Sequence, residues 1–144
     1  MNTNSENTIF IIQAETCENL NISGNGRKAV LCVTDEEGFG ESRKTLLTKM
    51  LSAVGLDPGQ DVWIALIANG QTINPALLAM HYSQMIVFGL PPESVSLNIN
   101  HHNYKVIRLD QARVLFCDSL AILETSQDKK KLLWESLKSM FDIK

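Results

Sequence analysis

The chain lacks any apolar run close to the ~18 residues that a membrane span needs. Met1 to Thr8 also lacks a cationic stretch leading into a long apolar core, so no secretory signal is read there and the expected location is the cytoplasm. Cysteine is scarce. Cys17, Cys32 and Cys117 are an odd number without a CxxC pair, and the last two sit inside apolar runs. This excludes a disulfide framework and makes buried free thiols the expectation, in place of a redox or metal role. There is no cationic excess either: 13 basic and 16 acidic side chains leave a formal charge of −3. A protein that coats nucleic acid with its whole surface is thereby excluded. GxGxxG, GK[ST], internal repeats and low-complexity tracts beyond one polar tail are all missing.

What is present suits one soluble domain. A chain of 144 residues, 44% hydrophobic and 20% charged, can bury roughly 68–70% of its unfolded surface and fold without metal or disulfides. Charge is uneven, and only residues 128–144 are basic, five against three. Residues 1–27 form a polar tail or an extra edge strand, interrupted by the apolar cluster Ile9, Phe10, Ile11 and Ile12. That cluster either pairs with the edge of the domain or is covered by a partner. Residues 28–144 read as a single α/β domain.

Ala29 to Val33, Val62 to Ile67 and Met85 to Phe88 are continuous apolar runs, the pattern of strands buried on both faces. Tyr104 to Leu109 and Ala112 to Phe116 are two further strand candidates. Between the first two runs, Leu46, Leu47, Met50, Leu51 and Val54 recur at helical spacing, with Ser42 placed to cap the helix and Gly55 to end it. Asn74 and Pro75 open a short helix expected to run through Tyr82. Thr125 to Asp128 resembles a capping box before a closing helix, with Leu133, Trp134, Leu137, Met140 and Phe141 on one face. The expected fold is a three-layer α/β/α sandwich around a mainly parallel sheet of four to five strands.

The polar motifs have structural readings that outweigh chemical ones. Gly38-Phe39-Gly40 before a helix could cradle a phosphate, but Asp35, Glu36, Glu37 and Glu41 crowd the loop with repelling charge. His101 and His102 are adjacent and so point apart, with no third ligand at zinc spacing, which favours a solvated loop. Ser119 follows a strand end without a nearby histidine to activate it and reads as a cap or turn residue. Lys129, Lys130 and Lys131 stand in the first turn of the last helix, against its dipole, and form either a solvated face or a site for an anionic partner.

Together these segments resemble the uracil-DNA glycosylase superfamily over roughly residues 28–141. Leu46 to Ile64 looks like that superfamily's helix and second strand, and Met85 to Gly89 like its strand ending in glycine. Phe116-Cys117-Asp118-Ser119 is similar to the segment where active members carry His-Pro-Ser before a final helix. The resemblance puts Cys117 where the catalytic histidine stands, Asp118 on the proline and Leu66 near the uracil-reading asparagine. The water-activating loop is reduced to Gly38-Phe39-Gly40-Glu41. Phe39, Glu41, Leu66, Cys117, Asp118 and Ser119 are thus expected to mark a degenerate pocket, short of the polar groups that base reading and charge stabilisation require.

The chain is also similar to a non-enzymatic family on that fold, the psi subunits of the bacterial DNA polymerase III holoenzyme. The matching pieces are the tail, the small α/β domain, and a serine turn leading from Ser119 to Leu133-Trp134. The resemblance implies an adaptor without cofactor or metal. Its tail, through Ile9 to Ile12, would dock on the clamp loader, and its domain would hold a chi-like or single-stranded-DNA-binding partner. Direct DNA binding would be weak or absent. The rival expectation is a divergent glycosylase or nucleotide-processing hydrolase using Asp35, Glu41 or Asp118, and a third is a small-molecule binder.

Overall fold

Four apolar runs become the four central strands. The structure is a computed structural model that describes residues 21–68 and 70–142. Strand β1 spans Asn21–Ser23, β2 Val30–Asp35, β3 Val62–Ile67, β4 Gln84–Phe88, β5 Val106–Leu109 and β6 Ala112–Cys117. Helix α1 covers Glu41–Ala53, α2 Leu120–Thr125 and α3 Gln127–Met140, and a single 3-10 turn lies at Pro92–Val95. The sheet runs β1-β3-β2-β4-β6-β5. The pairings β2 with β3, β2 with β4 and β4 with β6 are parallel, whereas β1 with β3 and β5 with β6 are antiparallel.

The sheet is therefore mixed and six-stranded: the parallel expectation holds for its centre and not for its edges. The reason at one edge is local. Only Asp110 and Gln111 separate β5 from β6, and a two-residue connection can join only antiparallel neighbours. At the other edge β1 is short and polar, and backbone bonds hold the chain after it. Asn25, Arg27 and Lys28 donate to the carbonyls of Gly59, Gln60 and Asp61 at 3.0, 2.9 and 3.0 Å.

Strand alternation sorts the core into two faces. Cys32, Val62, Ile86, Phe88, Leu115 and Cys117 meet Leu47 and Leu51 of α1, Leu120 and Leu123 of α2, and Leu133, Leu137 and Met140 of α3. The three helices of the described residues pack on this one face. On the other, Leu31, Val33, Met85, Val87, Val114 and Phe116 are covered by Ile73, Met80 and Val95, from segments that form no α-helix. Among the described residues, then, helices cover one face of the sheet and irregular segments the other, where the sequence led us to expect helices on both. The segment from Asn74 begins as foreseen, with Asn74 Oδ1 accepting from Ala76 N at 3.1 Å. It closes after one turn, because Met80 N donates back to Pro75 O at 2.9 Å and Ala79 takes a left-handed φ of +56°. That reversal brings Met80 down onto the sheet, where it is 7% exposed.

The caps differ in their agreement with the sequence. Ser126 caps α3, its side chain accepting from Lys129 N at 3.2 Å, one residue after the Thr125 that the capping-box reading puts there. The cap of α1 is Gly40, without a side-chain bond, and Ser42 donates to Glu124 instead. Gly55 ends α1 with φ +82° as foreseen. Among the described residues no helix is long and apolar enough to cross a membrane.

Candidate functional site

From β2 the chain steps to β3 on one side, then crosses to β4 on the other. The carboxyl ends of neighbouring β2 and β4 therefore diverge, which is where open α/β sheets place ligands. In register, Asp35 stands beside Ile67, Thr34 beside Phe88, and Phe88 beside Cys117. These strand ends open onto two depressions of about 310 Å³ each, divided by Leu90 and Pro91. One is lined by Asp35, Ala68, Glu93 and Ser94 among others. The second is lined by His101, Asn103, Cys117, Asp118, Ser119 and Ile122 beyond the shared wall.

Gly89 makes the wall possible. It leaves β4 with φ +71°, and its N–H donates to Cys117 O at 2.8 Å. A Cβ there would lie 2.6 Å from Ser119 Cβ, so only glycine lets the end of β4 approach the start of α2 so closely.

Around the second depression the polar side chains are engaged with one another. Ser119 caps α2, its Oγ accepting from Ile122 N at 3.3 Å. Cys117 is buried, its Sγ donating to Val87 O at 3.6 Å, and burial together with the Asp118 charge pushes its thiol well above the ordinary value. Asp118 accepts from Tyr104 Oη at 2.5 Å and lies 3.5 Å from Lys129 Nζ. Lys129 also sits 5.8 Å from the centre of the Tyr104 ring. Tyr104 carries a φ of +65°, uncommon for a bulky side chain. It is held there by its N–H on Phe116 O and by Ser136 Oγ donating to its carbonyl, both at 2.8 Å. Burial, then the hydrogen bond to Asp118, push its phenol above the ordinary range.

The first loop is tied in the same manner. Asp35 Oδ1 accepts from Glu37 N at 3.0 Å, and Glu36 N donates to Ile67 O at 2.8 Å. Phe39 is half-buried against the helical core, and Glu41 is exposed in the first turn of α1. Behind it, Ser42 Oγ donates to Glu124 Oε2 at 2.6 Å and Arg43 Nε to Glu124 Oε1 at 3.2 Å, joining α1 to α2. The Ser42 hydroxyl first, and Arg43 beside it, hold the Glu124 carboxyl below its ordinary pKa.

Of the residues singled out in the sequence, Cys117, Asp118 and Ser119 line one depression together. Leu66 is half-buried inside β3, in register with Thr34 and Asn21. Lys129 is paired with Asp118, Lys130 adds its field to Glu124, and Lys131 is exposed. Ile9, Phe10, Ile11, Ile12 and Cys17 lie outside the described residues. The adjacent histidines part company: His102 is exposed, whereas the His101 ring lies 4.8 Å from that of Phe116 and joins the depression. Leu90, Pro91, Glu93 and Asn103 were missed, although Gly89-Leu90-Pro91 directly after a buried strand is a signal that marks the first three. Among the described residues no three His, Cys, Asp or Glu side chains converge to hold a metal ion. No family model matches the chain, and no curated protein matches it.

Proposed function

We propose that the chain is a non-catalytic adaptor subunit of the bacterial DNA replication machinery. In this reading it is psi-like, built on a degenerate uracil-DNA glycosylase scaffold whose parallel centre is β3-β2-β4-β6, and it links a clamp loader to a chi-like or single-stranded-DNA-binding partner. One observation supports this most: the three residues after Phe116 are spent on the fold itself. The Cys117 thiol is buried in the core, Asp118 is paired with Lys129 and accepts from the Tyr104 phenol, and the Ser119 hydroxyl caps α2. A catalytic site needs groups preorganised toward a substrate, and here they are turned toward each other. The tail would dock through Ile9 to Ile12 and pay its ordering cost on the partner.

Depressions at the strand ends, one of them against Asp35, favour the rival reading of a divergent glycosylase or hydrolase. A uracil-containing oligonucleotide separates the two. The adaptor releases no base. Measurable release that is abolished by Asp118→Ala or Glu41→Ala would establish the enzyme instead. On the adaptor side, the full chain immobilised in native cell extract should retain clamp-loader subunits, and the same chain without residues 2–20 should lose them.

A further inference from the structure

Strand β5 ends the sheet, and among the described residues no backbone group bonds to its outer side. A row of unpaired N–H and C=O groups of this kind is a template for another extended chain. Its side chains alternate. Val106 joins the helical-face core, whereas Ile107 and Leu109 pack on the opposite face. Beside Leu109 that face carries a groove of about 340 Å³, lined by Met80, Tyr82 and Leu97 and also by His81, Asp110 and Gln111.

Charge is distributed with the same polarity. Arg108 stands directly opposite Arg113 across the hairpin, an arrangement of like charges that costs stability unless an anion offsets it. Arg113 is committed to the end of α3, bonding Met140 O and lying 3.3 Å from Asp142 Oδ2. Arg108 is exposed, and neither it nor exposed Lys105 has an acidic partner among the described residues. Between the two arginines a hollow of about 170 Å³ is left, with Asp110 and Gln111 closing its far end at the turn. In a chain of net charge −3, the outer strand thus carries one cation, Arg108, and is preceded by another, Lys105, neither with an acidic partner among the described residues.

The geometry points to the outer edge of β5 as a docking site for an extended segment of a partner protein in which acidic and apolar residues alternate. The segment adds a seventh strand. Its apolar side chains lie beside Ile107, Leu109 and the groove, and its carboxylates reach Arg108 on the other face. Backbone bonds supply affinity and the alternation supplies register. A nucleic-acid strand fits less well, since it has no alternating backbone N–H and C=O groups to pair in register with the open edge of β5. This assignment rests on the adaptor reading for the existence of a partner, and names the surface and the chemistry that hold it.

The test uses the full chain and two fluorescein-labelled peptides, Gly-Val-Glu-Ile-Glu-Val-Gly and the same sequence with lysine in place of glutamate. Anisotropy titrations should show the glutamate peptide binding at least tenfold more tightly. Its amide shifts should centre on Val106 to Leu109. Arg108→Glu should reverse the preference and Arg108→Ala abolish it, both exposed changes that leave the core intact. Equal binding of the two peptides, binding of neither, shifts elsewhere, or an unchanged preference in Arg108→Glu would overturn the assignment. If the peptides fail while the full chain still retains clamp-loader subunits, β5 is not the docking edge and the adaptor reading stands. If the glutamate peptide binds at β5 and no replication protein is retained, the edge is real and that reading falls.

Discussion

Replacing Gly89 by alanine should be among the most damaging single-methyl additions to this protein, and the loss can be worked from two contributions. At φ +71° an L-residue meets the left-handed penalty of about 1–2 kcal/mol. The new Cβ would also lie 2.6 Å from Ser119 Cβ, 2.8 Å from its Cα and 3.0 Å from its backbone N. Those atoms belong to the capped start of α2, which can yield only by moving the helix, and overpacking of this kind costs about 1–3 kcal/mol. The sum is about 2–5 kcal/mol. Gly55→Ala supplies the control: its φ of +82° carries the same backbone penalty, yet no heavy atom lies within 4 Å of the added carbon. Urea unfolding of both variants, at unchanged slope, should place Gly89→Ala about 1–3 kcal/mol below Gly55→Ala, with a thermal midpoint lower by several degrees. Equal losses would refute the close approach of β4 to α2, and with it the account of how the two depressions are divided.

The polar cluster around Asp118 and the buried thiols give further expected outcomes. Tyr104→Phe removes the phenol that donates to Asp118 and should cost about 1–2 kcal/mol by urea titration. Lys129→Ala, a half-exposed partner of the same carboxylate, should cost less than about 1 kcal/mol. Cys32 and Cys117 are buried, so a Cys17→Ser chain should yield no reaction with a thiol-specific chromogenic disulfide when native and two equivalents when unfolded. Burial pushes the Cys32 thiol from 9.0 to about 12. Its contribution is full below pH 9, where both states are protonated, and is lost as pH rises toward 12 because only the unfolded chain ionises there. Cys32→Ala should flatten that alkaline loss, as read from unfolding midpoints between pH 8 and 11.

The central strands and the two long helices were legible because burial on both faces, or on one face, writes itself as continuous or 3.6-periodic apolar runs. Strand β1 was not, because Asn-Ile-Ser carries no pattern of its own and is a strand only by pairing with Leu66, Ala65 and Ile64. Helix α2 is six residues long, too short for a period, and only its Ser119 cap was visible. The antiparallel β5–β6 hairpin could have been read from its two-residue connection. The helix expected from Pro75 failed because tertiary demand for Met80 in the core outweighed a favourable start. At the site, the segment 117–119 was located from its place after a strand, but nothing in the sequence paired Asp118 with Tyr104 and Lys129, which arrive from 14 and 11 residues away. The division of the carboxyl edge by Leu90 and Pro91 depends on strand order, which no local pattern encodes.

The adaptor claim is met most directly by calorimetric titration of the purified full chain with purified clamp loader from the same cells, repeated with the chain lacking residues 2–20. The account predicts a sub-micromolar complex for the full chain, at least tenfold weaker binding without the tail, equivalent to about 1.4 kcal/mol, and a thermal midpoint that the deletion leaves nearly unchanged. No heat of binding with either protein, or a deletion that lowers the midpoint as loss of an integral strand would, contradicts it.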